Sequence, residues 1–255
     1  MIKCLFFDIG NVILNDDPAM AALYQYIYDV VNQNGRKISF EELIALREQL
    51  ILQNRDGRHY YTVGTKLFAP KRWQKEFNSI KKKLSVNWEK LSPLLSGVAP
   101  VIQDLSKRFE LGLIANQPRE VVAILEKYQL MQYFKVNAVS ACVGYEKPDT
   151  RLFQYALEIA RCEAEESVMI GDRIDNDIRP AKSMGMKTIW LQLQLELKGY
   201  TPQAEFEKLY FQSIRRASAS QIQPRDYDEQ PDFIAQSFDD LLKGVTYLED
   251  TKYDR

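Results

Sequence analysis

Three aspartates and one lysine are the residues of this sequence best placed to do chemistry. Asp8 ends the apolar run Cys4-Leu5-Phe6-Phe7 and opens the turn Asp8-Ile9-Gly10-Asn11. Asp172 and Asp177 lie in Gly171-Asp172-Arg173-Ile174-Asp175-Asn176-Asp177, directly after Val168-Met169-Ile170, and Lys147 lies in Gly144-Tyr145-Glu146-Lys147-Pro148. A fourth turn, Ala115-Asn116-Gln117, follows the apolar residues 111–114. Each turn sits at the carboxyl end of an expected strand, where open parallel sheets bind ligands. If those strands are neighbours, Asp8, Asp172 and Asp177 converge with Lys147 beside them, and like charges so close raise one another's pKa. A hard cation removes that repulsion, and with oxygen ligands and room for water Mg2+ is the natural choice.

Strands are expected where short apolar runs meet turn residues, at 3–7, 111–115, 136–140, 168–170 and 187–191, with helices at 119–128, 150–160 and 178–184 between them. That alternation gives an α/β fold, a doubly wound, mostly parallel sheet with helices on both faces. The first strand must join it, because a lone strand cannot bury both apolar faces. Residues 15–96 read as helical throughout. Asp17 as N-cap with Pro18 behind it opens a helix through Leu23, Ile27, Val30 and Val31. Ser39 and Glu42 make a capping box before Leu43, Ile44, Leu46 and Leu50, and a third helix runs from Pro70 through Trp73, Phe77, Ile80 and Leu84. Residues 1–14 and 97–255 are thus assigned to the α/β core and 15–96 to an inserted helical block. Within the core, the polar stretch 193–230 reads as a solvated insertion with one helix from Pro202 through Phe206, Leu209, Tyr210 and Ile214. A strand at 233–235 and a helix at 237–248 follow it.

The 255 residues carry 34 Lys+Arg against 35 Asp+Glu, a net charge of −1, so no general attraction to nucleic acid is expected. Cys4, Cys142 and Cys162 form neither an even set nor a CxxC pair, which argues against a disulfide framework or a thiolate zinc site and makes the cytoplasm the expected compartment. No apolar run approaches the roughly 20 residues of a membrane span, and residues 2–7 are too short for the apolar segment of a signal peptide. No membrane partner is expected, and no oligomeric state follows from the sequence. The one histidine, His59, leaves catalysis to carboxylates and lysine. It stands with Arg55, Arg58, Tyr60 and Tyr61 in a stretch that fits recognition of a second anionic group on a ligand or, more plainly, a surface turn.

Taken in order, the four turns resemble those of the haloacid dehalogenase-like hydrolase superfamily. Gly171-Asp172 through Asp177, with Pro180-Ala181-Lys182 and Gly185 following, is similar to that family's GDxxxND loop and the helix after it. Lys147-Pro148 with Phe153 is next in specificity, and the helical block is similar to the family's C1 cap. The resemblance implies a phosphatase that hydrolyses small phosphate monoesters with Mg2+. Asp8 would be the nucleophile, forming an aspartyl-phosphate, and Lys147 would neutralise charge on Asp8 and the phosphoryl group. The metal would take Asp8, the Gly10 carbonyl and Asp172 directly and Asp177 directly or through water, while backbone N–H groups around Ile9, Gly10 and Asn116 would face phosphate oxygens.

The sequence departs from the family's pattern twice. Gly10 stands where most of its phosphatases carry a second Asp as general acid and base, and Ala115 stands where they carry Ser or Thr. Losing the acid removes about 100- to 10,000-fold in rate, and losing one hydrogen bond to a charged group a further factor of about 10 to 100. Two other readings stay open: a weak or inactive relative serving as a binding or regulatory module, and hydrolytic dehalogenation at carbon. The latter uses an Asp nucleophile without Mg2+, and the paired Asp172 and Asp177 fit a metal better.

Overall fold

Six short apolar segments become strands: β1 (Cys4–Phe7), β2 (Glu110–Ala115), β3 (Phe134–Val139), β4 (Ser167–Gly171), β5 (Lys187–Leu191) and β6 (Phe233–Ala235). The computed structural model describes residues 1–250. The strands β1, β2, β4 and β5 are buried along nearly their whole length, as strands covered on both faces must be. All six form one sheet in the order β3-β2-β1-β4-β5-β6, and every neighbouring pair is parallel. The fold is therefore α/β and doubly wound. The chain leaves β1 for β2 on one side and meets β4 on the other, so β1 marks the switch point at which such sheets open a crevice. Phe7 stands level with Leu113 of β2 and Ile170 of β4. The turns that follow these strands consequently leave the same edge of the sheet.

The expected helices form with small shifts, as Val121–Lys127 and Thr150–Ala160. One segment differs in kind. Residues Ile174–Ile178 wind into a π-helical turn, with the Ile178 N–H donating to the Arg173 carbonyl at 3.2 Å, before the short helix Arg179–Ser183. Such turns concentrate at functional sites.

The chain divides into two compact units. The sheet and its helices take Met1–Asn15, Leu94–Tyr200 and residues from Gln223 onward, while Asp16–Pro93 and Thr201–Ile222 form a helical unit. The segment 201–222, read from the sequence as a solvated insertion of the α/β core, thus belongs with the helices. The reason is a buried charge. Helix Phe40–Asn54 buries Leu43, Ile44, Arg47, Leu50 and Ile51, which places Arg47 in the middle of an apolar stripe. Its Nη1 donates to Ser213 Oγ and to the Ala217 carbonyl, each at 2.8 Å, and its guanidinium lies 4.9 Å from the Tyr210 ring centre. Helix Glu205–Arg216 supplies these partners and buries Tyr210, Phe211, Ser213 and Ile214.

Within the helical unit the capping box forms as expected, Ser39 N–H donating to Glu42 Oε2 at 2.7 Å and Glu42 N–H to Ser39 Oγ at 3.1 Å. Helix Asp17–Gln33 has Asp16 rather than Asp17 at its cap, with no side-chain cap bond. The stretch around His59 is not a surface turn. His59 opens helix His59–Leu67, is buried, and its Nδ1 shares a 2.6 Å hydrogen bond with the Tyr24 hydroxyl. Stacking of Tyr24 on Tyr210 ties this pair to the same core. Among the described residues no helix is long and apolar enough to cross a membrane.

Truncation of Arg47 deprives Ser213 Oγ and the Ala217 carbonyl of a charged donor. Arg47→Ala should lower stability to chemical denaturation by about 1.5–3 kcal/mol, with amide exchange rising first in residues 205–216. An unchanged exchange pattern there would remove Arg47 as the anchor of that helix.

Candidate active site

Asp8 is the first residue beyond β1, and its N–H still pairs with the Ile170 carbonyl of β4 at 2.9 Å. The chain then turns at once: the N–H groups of Ile13 and Leu14 reach back to the Ile9 carbonyl at 2.8 and 2.9 Å. The left-handed conformation this tight turn requires falls on Asn11 (φ 55°), not on Gly10, and Asn tolerates it better than most residues. Asp8 Oδ1 accepts the Ile9 N–H at 2.8 Å and the Lys147 ammonium at 2.8 Å.

Lys147 lies beyond β3 and is held by the turn after β2. Asn116 Nδ2 donates to the Lys147 carbonyl at 2.8 Å, and the Lys147 N–H donates to Asn116 Oδ1 at 2.7 Å, so one amide side chain clamps both backbone groups. The lysine's buried Nζ donates to Asp177 Oδ1 at 2.6 Å. Asp177 Oδ2 accepts the Arg173 N–H at 2.9 Å, inside the π-helical turn. Only glycine fits at position 171, since a Cβ there would collide with the Asp177 carboxylate. The backbone of Asp172 is fixed from β5, where the indole N–H of Trp190 donates to its carbonyl at 2.9 Å.

The outcome is a cluster in which ligand oxygens of Asp8, Asp172 and Asp177 all lie within 4.8 Å of one another. Asp172 is 5% and Asp177 0% exposed. At that spacing and an effective dielectric of about 20, each like-charge pair costs about 3–4 kcal/mol. Burial, reinforced by the charges of Asp177 and Asp8, pushes Asp172 well above the ordinary carboxylate range. Burial also pushes Asp177 up to about 6, with Lys147 pulling the other way and Asp8 adding to the rise. For Lys147 burial works downward, but Asp177 and Asp8 outweigh it and hold the ammonium charged. Three hard oxygen donors with excess negative charge fit a divalent hard cation.

The fold thus brings together Asp8, Lys147, Asp172 and Asp177. Asn116, expected to offer its backbone, uses its side chain to hold Lys147, and the Ile9 N–H is engaged by the Asp8 carboxylate. Ala115 ends β2 fully buried. Gly10 adds only main-chain groups to the turn. Two residues escape the sequence reading. One is Trp190, and the other is Lys198, at the end of the short turn Leu195–Lys198 beyond β5. Lys198 is buried, its Nζ donates to Asn11 Oδ1 at 2.9 Å, and its charge pulls against the rise at Asp172. Its one sequence signal is position, a few residues past another strand end.

A family model described as haloacid dehalogenase-like hydrolase matches residues 5–191, a span that includes Asp8, Asn116, Lys147, Asp172 and Asp177 but stops short of Lys198. The chain is 25% identical over 202 residues to a glyceraldehyde 3-phosphate phosphatase of Methanothermobacter thermautotrophicus, covering 76% of this chain and 88% of that protein. Among solved structures, a HAD phosphatase from Thermococcus onnurineus matches with a TM-score of 0.62 at 22% identity, over 96% of this chain and 98% of that one. The HAD-hydrolase YfnB of Bacillus subtilis, bound to magnesium, matches with a TM-score of 0.62 at 19% identity, over 95% and 97%.

Because the folded protein holds a proton on Asp177 up to about pH 6 whereas the unfolded chain releases it near its ordinary value of about 4, cation-free stability falls as pH rises through that window. Asp172, raised further, extends the loss upward. At neutral pH a divalent cation at a hundredfold excess over its Kd should restore about 2.7 kcal/mol, or about 5–10 °C in Tm. In Asp172→Asn that gain should vanish, while the cation-free variant is no less stable than the parent. Equal gains in the two proteins would exclude Asp172 from cation binding.

Proposed function

The chain belongs to the haloacid dehalogenase-like hydrolase family, and from that premise we propose a Mg2+-dependent phosphatase that hydrolyses small phosphate monoesters through an aspartyl-phosphate. The observation that carries this reading is the Asp8 carboxylate held 2.8 Å from a buried ammonium inside a cluster of carboxylates. The similarity to a protein named as a phosphatase of a small sugar phosphate supports the substrate class.

Asp8 attacks phosphorus, the bond from phosphorus to the leaving oxygen breaks, and an acyl phosphate forms on the carboxylate. Water then attacks that phosphorus, releasing inorganic phosphate and restoring Asp8. The Ile9 N–H and Lys147 keep the carboxylate oriented, and Lys147 balances charge on Asp8 and the phosphoryl group. Backbone N–H groups of Gly10 and Asn116 serve as phosphate donors. Mg2+ would be held by Asp8, Asp172 and the Gly10 carbonyl, with Asp177, both of whose oxygens already accept hydrogen bonds, reaching it through water. When bound, the ion supplies charge neutralisation for carboxylates and phosphate alike. Lys198 holds Asn11 and so steadies the turn that carries Asp8 and Gly10.

The helical unit is read as a cap whose connections to the α/β unit act as hinges. Vanadate with Mg2+ should then slow amide exchange at the crossings near residues 14–17, 92–95, 199–202 and 221–224, whereas unchanged exchange would make the unit fixed scaffold.

Gly10 and Ala115 favour a second reading, a phosphate-binding module without turnover, and one set of assays separates the two. With no acid at Gly10, aryl or acyl phosphates should be hydrolysed at least about 100-fold faster than alkyl phosphates. Position 10 is free of left-handed backbone. Gly10→Asp should therefore raise alkyl turnover by about 100-fold or more, and Asp8→Asn should abolish turnover of both classes. Failure of the folded, Mg2+-loaded protein to hydrolyse even an activated aryl phosphate would leave the binding module.

A further inference from the structure

Two of the three cysteines meet at the amino ends of the central strands, away from the carboxylates. Cys4 opens β1 and stands level with Ser167, the first residue of β4. Cys162 follows helix Thr150–Ala160, and its Sγ lies 3.5 Å from the Glu163 carbonyl and 3.7 Å from that of Glu166. The N–H of Lys3 donates to the same Glu166 carbonyl at 2.7 Å, which brings the start of β1 against Cys162. Both cysteines are buried in one apolar cluster with Phe6, Leu157 and Met186, and each thiol shifts the other's ionisation.

We propose that Cys4 and Cys162 form a reversible redox pair that closes to a disulfide when the protein meets hydrogen peroxide and reopens in a dithiol reductant. The two sulfurs are not equivalent. The neighbouring Cys4 thiol, together with the nearby Lys3 ammonium, holds the Cys162 thiol below its usual value, while that same pairing and burial push Cys4 well above. Cys162 is accordingly the sulfur that reacts first. Its thiolate attacks one peroxide oxygen, an S–O bond forms, the O–O bond breaks and hydroxide leaves, giving a sulfenic acid. The Cys4 sulfur then attacks the Cys162 sulfur, the S–S bond forms, the S–O bond breaks, and water leaves with the Cys4 proton. Two thiols lose two electrons and one peroxide becomes two waters. The bond fastens the start of β1 to the entry of β4, the strands whose far ends carry Asp8 and Asp172. Because it closes a long loop, it restricts the unfolded chain and raises Tm.

The experiment uses the full chain with Cys142→Ser, which removes the exposed thiol capable of joining two molecules. The protein is treated with hydrogen peroxide, alkylated in denaturant and measured by intact mass and peptide mapping. The expected result is a mass loss of two hydrogens, no alkylation of either remaining cysteine, a cross-linked peptide pair containing Cys4 and Cys162, full reversal by dithiothreitol, and a higher Tm for the oxidised form. In Cys4→Ser, Cys162 should stop as a sulfenic acid that dimedone traps. Two alkylated cysteines after peroxide treatment, or irreversible oxidation of Cys162 without a cross-link while Cys4 is intact, would overturn the proposal.

Discussion

Three carboxylates packed about one buried ammonium are the constraint to which the α/β unit answers. A lysine can balance two of these charges by contact, and Lys147 does so with Asp8 and Asp177. The third, Asp172, keeps an excess that must be carried by a proton or by a cation, because a buried charge without a partner is among the costliest things a fold can hold. No local segment could assemble this arrangement. It needs three strands in parallel register, a glycine at 171 to admit the Asp177 carboxylate, a π-helical turn to aim it, and an asparagine at 116 to hold the lysine backbone. Much of what looks idiosyncratic at the strand ends is the means of holding like charges together.

The two departures from the family pattern fall outside that electrostatic core. Gly10 and Ala115 subtract a proton donor and a hydroxyl, but neither touches the contacts among Asp8, Lys147, Asp172 and Asp177. In the proposed mechanism, nucleophile, charge balance and cation site are separable from proton transfer, and the residues proposed for the first three are all present. The cost of the missing groups therefore falls on leaving groups that need a proton, while phosphates with good leaving groups are spared. Lys198 adds to the retained part: its contact with Asn11 braces the turn that carries both Asp8 and Gly10.

The helical unit contains a second buried charge, and its surroundings are of the opposite kind. Arg47 is met by a hydroxyl, a carbonyl and the face of a tyrosine ring, none of them charged. A guanidinium held in this way ties the two helices together. The carboxylate cluster is left with charge unbalanced, which a hard cation would offset. Both are conspicuous as charges inside an apolar pattern, yet one explains why 201–222 packs where it does and the other why the protein has a site at all.

The alternation of apolar runs and turns in the sequence was enough to determine the α/β class, the parallel sheet and the helical block, because period and turn chemistry are local properties that need no knowledge of distant segments. The same logic made Asp8, Lys147, Asp172 and Asp177 legible: each ends or follows a strand, and parallel strands bring such positions together by necessity. Tertiary structure alone decided the rest. Which helices receive the segment 201–222 depended on the partners of Arg47, more than 150 residues away along the chain. That Asn116 works through its side chain, and that Lys198 enters the site from an apparently solvated stretch, depended on where neighbouring strand ends lie in space. Polarity along a chain tells whether a residue can face water. It does not tell whether, once the chain has folded, a carbonyl, an amide or a carboxylate will be there in place of water.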